Sequence, residues 1–96
     1  MINNKLSFKL PVIITKQNRH FVAYTPALDI STSGKTEKEV KKRFVELVNL
    51  FIEEIVQADT INDVLSELGW RKVQKVWTPP KVISSPFMNM KISALV

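Results

Sequence analysis

The sequence predicts a small α+β fold, an antiparallel sheet in the order β-β-β-α-α-β with helices on one face. Three observations point there. Before residue 35 the apolar side chains recur at every second position, the period of a half-buried strand. From Val40 to Ile55 they recur at intervals of three and four, the period of a helix. Both helical stretches open on a threonine with an acid three residues later, Thr36 with Glu39 and Thr60 with Asp63.

The first strand is expected over residues 5–16, with Leu6, Phe8 and Leu10 opposite Lys5, Ser7 and Lys9. Pro11 cannot donate to a ladder and predicts an edge or a bulge there. Gln17, Asn18 and Arg19 make a polar turn, and HFVAYT (20–25) forms the second strand of a hairpin, with Phe21, Ala23 and Thr25 on one side. Pro26 disfavours helix for Thr25 and ends that strand. Ile30 and Thr32 then form a short third strand, stopped by Gly34. Three short strands leave one sheet face in need of cover.

Thr36 starts the covering helix, about 20 residues and so about 30 Å long. Its stripe is Val40, Phe44, Leu47, Val48, Phe51 and Ile55, widened by Val45 and Ile52. A shorter helix follows, capped by Thr60, with Ile61, Val64, Leu65 and Leu68 as its apolar face and Gly69 as its stop. WRKVQKVW (70–77) reads as one more strand, ended by Pro79 and Pro80. Met88, Met90, Ile92 and Ala94 alternate with Asn89, Lys91, Ser93 and Leu95, which predicts a last strand in the tail. The organisation expected is one α+β domain over 1–78 and an extension over 79–96 used in oligomerisation.

Composition narrows the function. The 96 residues make one domain. With no cysteine, disulfide scaffolds and thiolate metal sites are excluded. The apolar runs are far too short for a membrane helix, which needs about 20 residues. Lys5 and Lys9 interrupt any signal-peptide core, so the expected location is cytoplasmic. The net charge of +5 is segregated. Residues 1–69 hold nine basic and nine acidic residues, whereas 70–96 add Arg71, Lys72, Lys75, Lys81 and Lys91 with no acid. Such segregation predicts contact with an anionic partner.

Chemistry is sparsely provided. His20 is the only histidine and has Arg19 rather than a carboxylate beside it. Glu37, Glu39, Glu53 and Glu54 lie off the apolar stripe, and the strands supply only Asp29. Metal-assisted cleavage needs several carboxylates on one cation. Ser31, Ser33, Ser84 and Ser85 have no adjacent base, and two glycines cannot build a phosphate-cradling loop. No catalytic, metal or cofactor site is expected. Trp70 and Trp77 beside Arg71, Lys72 and Lys75 form the one nucleic-acid signal, since indoles stack on unpaired bases. The competing reading places both indoles in the core.

FVAYTPALDISTSGKTEKEV (21–40) resembles the N-terminal domain of HicB-type antitoxins, through Tyr24, Pro26, Leu28, Gly34, Thr36 and Glu39. The resemblance covers about residues 5–77. It implies a partial ribonuclease-H-like fold and a partner, a small HicA-like RNA-cleaving toxin whose active site the antitoxin covers. Tyr24, Pro26 and Leu28 are then the expected partner-binding residues. The family is sometimes described as nucleases on the strength of its fold, but fold does not fix function. Many members also repress transcription through a C-terminal DNA-binding domain, and neither a helix-turn-helix nor a ribbon-helix-helix is legible after Pro80.

Three functional expectations compete. The first is an antitoxin-type module that neutralises a toxin. The second is a nucleic-acid-binding protein acting through the basic segment 70–96. The third is a homo-oligomer, a dimer or larger, built by the tail.

Overall fold

The computed structural model describes residues 8–93. Three strands form an antiparallel meander, β1 (Ile13–Gln17), β2 (His20–Thr25) and β3 (Ile30–Gly34), with β2 in the middle. Then come α1 (Glu37–Gln57), α2 (Ile61–Glu67) and a separate hairpin, β4 (Arg71–Val73) and β5 (Val76–Thr78). This is the α+β architecture and order that the sequence predicts, with the last strand replaced by a hairpin.

Pairing of Phe21 with Gly34, Ala23 with Thr32 and Thr25 with Ile30 puts the buried members of β2 and β3 on one face. That face receives α1, which lies over β3 and β2. Ala23, Val40, Phe44, Val48 and Ile55 are buried together, and Ile14, Phe21, Ile30, Phe51 and Ile52 pack around them. Gly34 permits the approach: a Cβ there would stand 2.9 Å from the Val40 backbone nitrogen.

Helix ends are satisfied locally. The Thr36 side chain accepts from the Glu39 amide at 3.0 Å, as its spacing predicts. At the other end Asp59 takes φ 57, and the Thr60 and Asp59 amides return to the Ile55 and Val56 carbonyls. This is a Schellman closure with aspartate in the left-handed position that glycine usually fills. Thr60 is therefore part of α1's ending. Its hydroxyl faces the Ile55 carbonyl at 3.4 Å, so it does not cap α2 with its side chain as the sequence led us to expect. The stop of α2 is as expected: Gly69 has φ 90, and the Trp70 and Gly69 amides bond to the Leu65 and Ser66 carbonyls.

Three expectations from sequence are corrected. The first strand begins at Ile13, because residues 8–12 run through Pro11 without a ladder; residues 1–7 lie outside the described residues. The segment 70–77 is not one strand. Gln74 and Lys75 both take positive φ, 50 and 67, and fold it back as a two-residue turn of the primed type. That turn normally announces itself by Asn-Gly, which is why Gln-Lys gave no sign of it. Residues 88–93 form no strand within the chain, and the rest of that expected strand lies outside the described residues.

The hairpin is held to the sheet by Trp70. Its indole N–H donates to the Ala27 carbonyl at 2.7 Å, both groups buried and 43 residues apart in sequence. Phe8 meets the same indole edge to face, with ring centroids 5.2 Å apart.

Two stability outcomes are expected. Trp70→Phe keeps most of the apolar area but orphans the Ala27 carbonyl, and should cost about 1–3 kcal/mol in urea unfolding. Gly34→Ala forces α1 off β3 and should cost about 1–3 kcal/mol, with the helix retained by circular dichroism.

Candidate partner-binding surfaces

The turn after β2 places the first set of expected contact residues. Thr25 acts as an N-cap: its Oγ1 accepts from the Ala27 amide at 3.3 Å, and its carbonyl accepts from the Asp29 amide at 2.9 Å. Pro26 thus opens a single helical turn, where its fixed φ fits and no N–H is missed. Asp29, at φ 54, reverses the chain into β3. Proline ends one strand and the next begins within five residues because this one turn does both jobs.

Tyr24, Pro26 and Leu28 do not share a surface. Leu28 is 2% exposed and belongs to the core. Pro26 is exposed on the turn, and Tyr24 stands on the outer face of the sheet. The Tyr24 hydroxyl donates to Asp29 Oδ1 at 3.0 Å. That hydrogen bond, then partial burial, then the carboxylate's charge raise the phenol above its ordinary value of 10.0.

Around Tyr24 the sheet is bare. The register aligns Ile13, Tyr24 and Ser31 in one cross-strand row and Thr15, Val22 and Ser33 in the next, with Gln17 and His20 at the hairpin end. α1 lies on the other side. The strand positions on this face hold no lysine, arginine, aspartate or glutamate, although nearly a quarter of the chain is charged, and the charge that meets them is the Asp29 carboxylate on the Tyr24 hydroxyl. Ile13 is half exposed in it. Ile13 and Val22 were missed as candidates because alternation says which residues share a face, not which face is left open.

The second set sits on the hairpin. Arg71, Lys72 and Lys75 are exposed there, as expected of a basic surface. Trp70 is 3% and Trp77 9% exposed, so neither indole is displayed for stacking. Lys72 Nζ lies 5.5 Å from the Trp77 ring centroid, a cation–π contact. The structure therefore leaves the three cations exposed along one hairpin and withdraws both aromatic partners into the core.

A shallow groove of about 590 Å³ lies between Phe8, Lys9 and Pro11 on one side and residues 76–82 on the other. Beyond it residues 81–93 leave the body, all exposed. His20 is exposed at the β1–β2 turn, and no three metal-ligating side chains converge among the described residues. No helix among them is long and apolar enough to cross a membrane.

No family model, curated protein or solved structure matches the chain. The residues that carry the resemblance each have a structural role: Leu28 and Gly34 in packing, Thr36 in capping α1, Glu39 in an ion pair with Arg43 at 3.0 Å, Pro26 and Tyr24 at the turn.

Tyr24 is the only tyrosine, so its titration is directly visible. Its absorbance should titrate above pH 10.0, and Asp29→Asn should bring it back toward that value. Because the unfolded phenol ionises first, stability should be intact below pH 10.0 and fall as pH rises through the folded value.

Proposed function

We propose that the chain is a binding module of the antitoxin type, which neutralises a small RNA-cleaving, HicA-like toxin by covering its active site. The observation that carries this reading is the open outer face of the sheet, whose strand positions hold no charged residue, with Val22 at its centre and Tyr24 at one end. Interface cores are depleted in charged residues, and the strand positions of this face hold none. The HicB-like pattern around Tyr24 and Pro26 supplies the class of partner.

Electrostatics favours the same face. An RNA-cleaving toxin is expected to be basic, since it must hold phosphates. The hairpin and residues 81–93 of this chain are basic as well and would repel it. The uncharged sheet face is spared that cost. Inhibition follows by steric cover: the partner's substrate site is occluded, and the module needs no catalytic residue of its own.

The test is capture of the chain from its native source after nuclease treatment and a high-salt wash. The expected product is one small protein at 1:1 whose RNA cleavage the purified chain stops. Recovery of the chain alone, or of nucleic acid once salt and nuclease are left out, would move the function to Arg71, Lys72 and Lys75. Within the complex, Val22→Glu should weaken inhibition at least tenfold while leaving the fold intact, because it puts a charge at the centre of the contact.

A further inference from the structure

The hairpin divides its basic residues between two faces. Its register pairs Arg71 with Thr78, Lys72 with Trp77 and Val73 with Val76. Side chains alternate along a strand, and directly opposed residues share a face. Lys72 therefore goes with the buried Trp77, and its ammonium lies over that indole. Arg71, Val73, Val76 and Thr78 go to the other face, where all four are exposed. In sequence Arg71 stands beside Lys72; in space it stands beside Thr78.

The chain after β5 returns to that face. Pro79, Pro80 and Lys81 close a cavity of about 340 Å³ with Arg71, Val73 and Thr78, and Gly69 forms part of its wall. Lys72 and Trp77 do not line it, as the alternation requires. The lining holds two cations, one hydroxyl and no acid. The ion pairs among the described residues are Lys41 with Glu37 and Arg43 with Glu39, so Arg71 and Lys81 have no counter-ion there. No acid follows Glu67 in the chain to supply one. The rest of the wall is apolar and stiff. Pro79 and Pro80 have fixed φ and are half-buried. A side chain at Gly69 would fill space against Pro80, since its Cβ would stand 3.9 Å from the Pro80 Cβ. Apolar walls with a few convergent polar groups are the make-up of a small-molecule site.

We propose that this cavity binds a phosphate monoester, the charged end of a small metabolite. Arg71 and Lys81 hold the phosphate oxygens, the Thr78 hydroxyl is a third donor, and the body of the ligand lies against Val73, Pro79 and Pro80. The charge count selects phosphate over carboxylate: a monoester carries about −1.5 to −2 at pH 7, which two cations match. The guanidinium fork grips two oxygens at once, and the ammonium acts as a point charge. Orientation selects one small molecule over a nucleic-acid strand. A strand needs a continuous basic track with aromatic platforms, whereas Lys72 faces away and both indoles are buried. The cavity shares no residue with the outer sheet face, so binding here is independent of the toxin reading.

Phenyl phosphate, titrated into the full chain and followed by amide NMR shifts, tests it. Saturable shifts confined to residues 69–73, 78 and 81 are expected, with a Kd of about 1 mM or tighter. Arg71→Gln and Lys81→Gln should each weaken binding about tenfold or more, the loss of a charge-assisted hydrogen bond. Lys72→Gln removes the same charge from the opposite face and should change binding less than about twofold. All three side chains are exposed, so circular dichroism should show the fold unchanged. No saturation by about 10 mM overturns the proposal. Equal losses from all three variants, or tighter binding of a single-stranded oligonucleotide than of phenyl phosphate, overturn it too, because the hairpin is then a general polyanion surface. Inorganic phosphate binding as tightly as phenyl phosphate overturns the role of the apolar wall.

Discussion

One buried hydrogen bond joins the two parts of this molecule. The Trp70 indole reaches the Ala27 carbonyl across 43 residues of sequence. It docks everything after α2 onto the turn that links β2 to β3. Ala27 has that carbonyl to offer because Thr25, Pro26 and Asp29 close a helical turn around it. The indole in turn arrives there because the Schellman closure of α2 directs the chain through Gly69 into Trp70, with the Trp70 amide tied to Leu65. An unmade bond at this depth would leave a desolvated acceptor, which is costlier than the bond itself is favourable. The turn and the helix ending are thus mutually dependent.

The same tie sorts the surfaces. With Trp70 and Trp77 drawn inward, the basic hairpin presents cations without exposed aromatic faces. With α1 over β3 and β2, the outer sheet face stays uncovered among the described residues, and an apolar groove stays open between residues 8–12 and α1. A sheet of this size cannot be covered on both sides by two helices that lie on one. Two surfaces therefore stay open among the described residues, the outer sheet face with Val22 at its centre and a groove between residues 8–12 and α1.

Much of the fold was legible. Period-two and period-3.6 patterns located the meander and α1, and Thr36 with Glu39 located the start of α1, because these signals arise from contacts within a few residues. Legibility failed where a local signal was weak or shared. The β4–β5 turn uses Gln74 and Lys75 at positive φ, a conformation neither residue advertises. Thr60 had two carbonyl-and-amide neighbourhoods to serve, and the ending of α1 took its hydroxyl. The site was less legible: Tyr24 and Pro26 reach the surface, whereas Leu28 is core.

By itself the sequence determined the α+β class, the element order, the helix start at Thr36 and stop at Gly69, and the segregation of charge to the last 27 residues. All of these depend on near neighbours in the chain or on composition. Only the tertiary structure decided which sheet face is covered, that both tryptophans are buried, and that residues 81–93 stay exposed. Those outcomes depend on where α1 settles across the sheet and on one indole meeting one distant carbonyl, and periodicity carries no information about either.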